Sequence, residues 1–316
     1  MARTERRPAA GDADNYGAIG RFLRSPTEAV DLALFCERFH VRRITVRLGG
    51  LAAAAGEPAL IGRLRGAFGE VLMKTTSREA AAGQPCPWNP PSAYEPLFRK
   101  QGRMTPGTDF PSPWVIAVHP RRGDLYITLT LFGAACEWAA AGAEALVDVA
   151  ANRIDWRAAA KVFVPEIAVT DRRMDAVALD TGPIAAGVDM EFLSPLVVSS
   201  GNPKDDPVPA FSTLGLRLEG LARWHGLTLA SVDWGAMRTA LRAAEWTWAE
   251  TETDRWDRGS RRQDRWIAMT GVRGLLHVAA NADVMARIDP LLRLGAVTHV
   301  GADVAFGCGR YRIVRN

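Results

Sequence analysis

Over residues 42–48 (Arg-Arg-Ile-Thr-Val-Arg-Leu) charged or polar and apolar positions alternate, the period of a strand with one buried face. Just upstream, Ser25-Pro26-Thr27-Glu28 offers an N-cap followed by proline at the first helical position, and opens a predicted helix towards Phe39. A Gly/Ala/Pro stretch follows, then a helix over 59–74. Residues 75–112, rich in proline, glycine and serine, read as a long insertion. Two strand signals at 114–119 and 124–132 flank a turn at 120–123. An alanine-rich helix near 140–151 and a strand at 161–169 complete the half. The order strand, helix, strand, strand, helix, strand is the ferredoxin-like arrangement.

A linker is predicted over 170–186, after which the order repeats in rougher form. A strand is expected at 190–199 and an amphipathic helix at 210–224, with a further helix over 234–244. Strands near 247–253, 265–269 and 274–279 precede a helix at 283–294 and a last strand at 310–314. Each sheet needs helices over one face to bury its apolar side. The pattern predicts an α+β protein with an N-terminal extension (1–40) that carries a helix, its first residues, 1–15, being a disordered lead. Two tandem ferredoxin-like domains follow, at 41–172 and 187–316.

Composition sharpens this only in part. The 316 residues are 48% hydrophobic and 23% charged, enough for two cores. The net charge of +4 comes almost entirely from arginine, which suits planar, bidentate phosphate contacts but also accompanies a GC-rich genome. Cys36, Cys86, Cys136 and Cys308 are scattered, which argues against a zinc site or a disulfide framework and for reduced thiols in a cytoplasm. The first residues are polar, unlike a signal peptide, and the alanine-rich windows are too short to span a bilayer. A soluble cytoplasmic protein without cofactor or metal is expected.

Several motifs carry a resemblance. They are Gly62-Arg63-Leu64-Arg65-Gly66-Ala67-Phe68-Gly69, the stretch from Cys86-Pro87 to Tyr94-Glu95-Pro96-Leu97-Phe98, and the strand Leu125–Gly133, which closes on Leu131-Phe132-Gly133. Further on come Phe192-Leu193-Ser194-Pro195-Leu196, Arg258-Gly259-Ser260-Arg261-Arg262-Gln263, and His299-Val300-Gly301 with Phe306-Gly307-Cys308-Gly309-Arg310-Tyr311. In this order they resemble the CRISPR-associated endoribonucleases that mature precursor crRNA, within the RAMP superfamily. The resemblance implies tandem ferredoxin-like domains and metal-independent cleavage of a CRISPR repeat hairpin by the upstream 2′-OH. It also implies retention of the 3′ hairpin of the guide and a place among the subunits of an effector complex.

For RNA binding the candidates are the loop residues His299, Gly301, Gly307, Gly309 and Arg310, the tip arginines Arg258, Arg261, Arg262 and Arg265, and Arg238 with Arg242 on one helix face. Each has a structural reading beside it: a tight connection for the loop, a solvated hairpin tip, a solvated helix face. For the chemistry, the family often keeps a histidine just after the first helix of its first domain, and residues 73–84 contain none. His40, flanked by Arg38, Arg42 and Arg43, is a candidate base. His299 reads as structural, His119 lies in a turn, and His225 and His277 are expected near the cores. The alternative is an arginine-lined site drawing on Arg24, Arg38, Arg65 and Arg242, slow but sufficient for an enzyme that keeps its product, as in type IV-like variants. A non-catalytic RAMP subunit that scaffolds crRNA, or a ferredoxin-like protein without nucleic acid, are the other readings.

Overall fold

In α3 (Leu60–Lys74), Leu60, Leu64, Phe68 and Leu72 fall four residues apart and are all buried, so the helix presents a single apolar stripe. The strand β2 (Val41–Leu48) turns Ile44, Val46 and Leu48 to one side, and β4 (Asp124–Phe132) adds Ile127, Leu129 and Leu131. These side chains meet the α3 stripe, and α4 (Ala139–Asp148) closes the layer with Ala143 and Leu146. Burial of each such leucine or isoleucine contributes about 1.5–3 kcal/mol. The computed structural model describes residues 16–57, 59–160, 168–179, 187–260 and 265–314.

With β3 (Trp114–Arg121) and β5 (Val169–Ala176), the first sheet has the order β3-β4-β2-β5, antiparallel throughout. The second sheet is built from β6 (Gly187–Leu196), β8 (Glu245–Ser260), β9 (Arg265–Ala279) and β10 (Tyr311–Val314), in the order β8-β9-β6-β10. In both, the strands lie second, third, first, fourth. These are two tandem ferredoxin-like units, as the sequence predicts. The second is layered by α5 (Val208–Arg223), α6 (Trp234–Ala243) and α7 (Ala282–Thr298). Among the described residues no helix is long and apolar enough to cross a membrane.

The differences from expectation have physical causes. No helix starts at Ser25. Instead the extension forms α1 (Ala18–Arg24), a short strand β1 (Glu28–Ala29) and α2 (Leu32–Arg38), with Asp31 capping α2 by accepting from the Leu34 N–H at 2.8 Å. The chain is pulled out of helix because β1 pairs in parallel with β7 (Leu227–Thr228), and the Thr27 N–H donates to the Gly226 carbonyl at 2.8 Å. The extension is thereby strapped to the second unit.

The fourth strand of the first sheet is β5, inside the stretch expected to be linker. It is an edge strand, and its mostly exposed, charged residues read as loop. The strand expected at 161–169 falls almost wholly outside the described residues, as do the lead at 1–15 and the end of the expected linker, 180–186. The three strand signals of the second half are two long strands, because Gly271 and Gly274 interrupt the apolar pattern of β9 without breaking the ladder; bulges absorb the irregularity at Trp248/Glu250 and Val272/Gly274.

Candidate functional site

The extension leaves the second unit and enters β2 at Phe39–His40, and the two units are stitched together there. The Gly133 N–H donates to the His40 carbonyl at 2.9 Å, and the Ala134 N–H to the Trp224 carbonyl at 2.7 Å. Gly133 has φ +57°, and a Cβ on it would run into the Trp224 carbonyl, so only glycine lets the end of β4 come this close to the end of α5. Beside the seam is an open groove of about 710 Å³ lined by Arg38, His40, Arg42, Glu28, Glu137 and His225, among others.

His225 fixes the position of His40. Its Nε2 accepts from the His40 backbone N–H at 3.0 Å, and its Nδ1 faces the Leu221 carbonyl at 2.9 Å. Together these require the neutral tautomer with the proton on Nδ1. Nε2 also lies 3.3 Å from the His40 carbonyl, but that contact would need a proton on Nε2 and gives way to the shorter one. Burial pushes the His225 pKa below its ordinary value, and the ring stacks on Phe39 at 4.8 Å. It is a positioning group, packed as the sequence suggests.

Of the five histidines, His40 alone is exposed with a ring that makes no hydrogen bond among the described residues. His277 is exposed but bound to Asp189 at 2.7 Å, on the outer face of the second sheet rather than in the core where it was expected. His119 and His299 are held well below the usual imidazole range, foremost by burial and then by the charge of Arg310. Arg38 pairs with Glu28 at 2.5 Å, with nearly half of each side chain exposed (45% and 47%). Such a pair is worth about 0–1 kcal/mol and yields readily to a better anion. Arg42, which sequence reasoning did not single out as a site residue, brings a second guanidinium whose buried Nε has no partner among the described residues.

The structure does not bring the other candidates to this groove. The guanidinium of Arg24 caps the carbonyls of Gly20 (2.7 Å) and Gln101 (3.1 Å) and lies 3.4 Å over the Tyr16 ring, which removes it from the site set. Arg65 faces the rings of Phe306, Phe98 and Trp114 at 4.8, 5.7 and 5.8 Å, tying α3 to the C-terminal loop. Arg238 and Arg242 project from the exposed face of α6. Arg242 is absent from the groove lining.

Beyond Gly271, β8 and β9 pair only with each other and form a two-stranded arm. Arg258 and Arg265 sit near its tip, while Arg261 and Arg262 lie outside the described residues. Trp256, Ile267 and Met269 of the arm cluster with Val197, Ala302 and Cys308, so the arm leans on the C-terminal loop.

The loop itself is a buttress. The N–H of Gly307 donates to Val304 at 3.0 Å and that of Gly309 to Pro195 at 2.8 Å, so neither is turned to a ligand. A Cβ on Gly307 would press on Ile61 of α3 and, at 3.0 Å, on the Ile116 carbonyl of β3. Gly301, at φ +84°, is closed off in the same way by the Val197 carbonyl. His299 is 3% exposed. The expectation that these glycines and His299 touch RNA therefore gives way to a packing role, within the second unit for Gly301 and Gly309 and against the first unit for Gly307; Arg310 is the loop's charged contributor.

Residues 190–311 match the family model described as the CRISPR-associated endoribonuclease Cas6, and residues 54–176 match a model described as an N-terminal domain. The second unit therefore carries a Cas6-family domain. A Cas6 product complex is similar over 87% of this chain and 99% of its own, with a TM-score of 0.55 at 14% identity. Thermus thermophilus Cas6 gives a TM-score of 0.51 at 14% identity over 87% and 99% of the two chains. A Cas6 substrate-mimic complex gives 0.51 at 17% identity with the same coverage. At such identities the likeness is one of fold. No curated protein matches the chain. The structure thus sets beside this fold a seam groove in which, among the described residues, a histidine without a ring hydrogen bond lies with two arginines.

Proposed function

We propose that this chain is an endoribonuclease that cuts CRISPR repeat RNA to mature crRNA and stays on the 3′ hairpin. The observation that carries the site is His40: exposed, held at the backbone by His225, and set between Arg38 and Arg42 in a groove at the seam of the two units. In this reading the imidazole takes the proton from the 2′-OH upstream of the scissile phosphate. The 2′-oxygen attacks phosphorus, and Arg38 and Arg42 face the charge that grows on the phosphorane. The 5′-oxygen leaves with a proton from water, giving a 2′,3′-cyclic phosphate and a 5′-hydroxyl. The arm and the Arg238–Arg242 face would hold the hairpin. Other effector-complex subunits would be the protein partners. The test is incubation with the cognate repeat RNA in EDTA, with the product ends analysed: a single cut with a cyclic phosphate is expected.

A second reading keeps the RNA and drops the chemistry. Glu28 already neutralises Arg38, as suits a subunit that binds crRNA without cutting it. Specific binding with no cleavage over long incubation would favour it.

A further inference from the structure

The face of the first sheet turned away from α3 and α4 carries charges that the proposed chemistry does not use. Strand alternation places Arg43, opposite Thr130, and His119, opposite Tyr126, on that face, since Ile44 and Ile127 point to the helices. Arg310 reaches the same face from the second unit, its Nη1 3.5 Å from the Val118 carbonyl. Arg217 of α5 lies near His299, on which its charge acts. Its Nε and Nη2, the two N–H groups that together form the bidentate edge of a guanidinium, are buried and have no hydrogen-bond partner among the described residues. The Nδ1 atoms of His119 and His299 are likewise buried and unpartnered.

These groups act on one another. Arg310, Arg217 and Arg43 all depress the His299 pKa, and burial brings Arg217 and Arg310 down to about 10. Among the described residues the carboxylate that answers them is Asp175, cross-strand from Arg43. Buried cations are ordinarily paired, because desolvation without a partner is expensive. Three arginines against one carboxylate leave a site short of negative charge. Arg43, His119 and Arg310 are each only half-buried, so it opens to solvent.

We propose that Arg43, Arg310 and His119, backed by Arg217, form a phosphate pocket between the two units that takes one phosphodiester of the bound RNA. This rests on the RNA-processing reading above. Donors from the first sheet (Arg43 and His119) and from the second unit (Arg310) suit an anion lying between them, and because the pocket uses both units, filling it would also fix their mutual position.

The test follows thermal unfolding of Arg217→Met and Arg43→Gln beside the unchanged protein, with inorganic phosphate against chloride at matched ionic strength. Phosphate should raise the melting temperature of the unchanged protein and leave both variants unmoved. Without phosphate, Arg217→Met should melt no lower than the unchanged protein, because an unpaired buried cation has been removed. Its Kd for repeat RNA should rise about tenfold. A variant that melts lower and keeps the phosphate response would overturn the pocket. If Arg217→Met does not fold, Arg43→Gln decides alone: loss of the response supports the pocket, retention refutes it. A phosphate response through these arginines in a protein that does not bind repeat RNA would leave the pocket standing and sink the RNA-processing reading.

Discussion

His119 shows how local surroundings set a residue's behaviour. Burial first, then Arg310, Arg43 and Arg121, hold its pKa down at about 4, against 6.5 in the unfolded chain. Between those values the unfolded state binds the extra proton and the folded state does not. The stability contribution is therefore complete above pH 6.5 and is lost as pH falls towards 4. His225 and His299 are depressed by burial as well and act in the same direction. Denaturant unfolding followed from pH 8 to pH 4 should show stability flat at the top and falling through this window; a profile unchanged down to pH 4 would contradict the burial of these rings.

Glu28 provides a second check at the residue scale. Since its pair with Arg38 is half-exposed, Glu28→Gln should hardly move the melting temperature, costing about 0–1 kcal/mol. It should tighten repeat-RNA binding a few-fold by freeing a guanidinium in the groove. Weaker binding would mean that Arg38 does not face the RNA.

At the scale of elements, the C-terminal loop depends on backbone shape. Gly309 has φ +71°, and a Cβ on it would collide with the Val300 carbonyl. Gly309→Ala should lower stability by at least ~1–2 kcal/mol, whereas Gly66→Ala on α3, where a Cβ meets nothing, should gain ~0.5–1 kcal/mol. Thermal melting of the two variants side by side checks both signs. The helix α6 makes the complementary case. Arg238→Ala with Arg242→Ala should leave the fold intact and weaken RNA binding. The slope of log K against log salt should fall by about 0.7–0.9 for each phosphate that the two arginines had neutralised. An unchanged salt slope would leave that face as solvated surface.

Much of this was legible in the sequence, for reasons that are local. The alternation in β2 and the four-residue spacing of Leu60, Leu64, Phe68 and Leu72 are written along the chain, and so the ferredoxin-like order could be read from it. The edge strand β5 could not, since its exposed charges carry no burial pattern. Nor could β1, whose partner at Leu227–Thr228 is some two hundred residues away. His40 stood out through its arginine neighbours, but the device that holds it, His225, sits at the far end of α5. Arg217 gave no signal at all: an arginine on an amphipathic helix reads as solvated face, and only the structure shows that it is buried.

Over the whole molecule, the chemistry is proposed for the seam rather than for either unit's core. The extension is strapped to the second unit by β1, passes through Arg38 and His40, and becomes the central strand of the first. The C-terminal loop closes the join elsewhere through Phe306, Gly307 and Arg310. RNA that bridges the two units would thus meet the groove at one place and the proposed arginine pocket at another. The most direct test is single-turnover cleavage of the cognate repeat RNA in EDTA by the unchanged protein and by His40→Ala, with binding measured on the same samples. We expect the rate to fall at least ~100-fold, the scale of a lost general base, while Kd stays within a few-fold. Cleavage by His40→Ala at the unchanged rate would place the chemistry outside this groove.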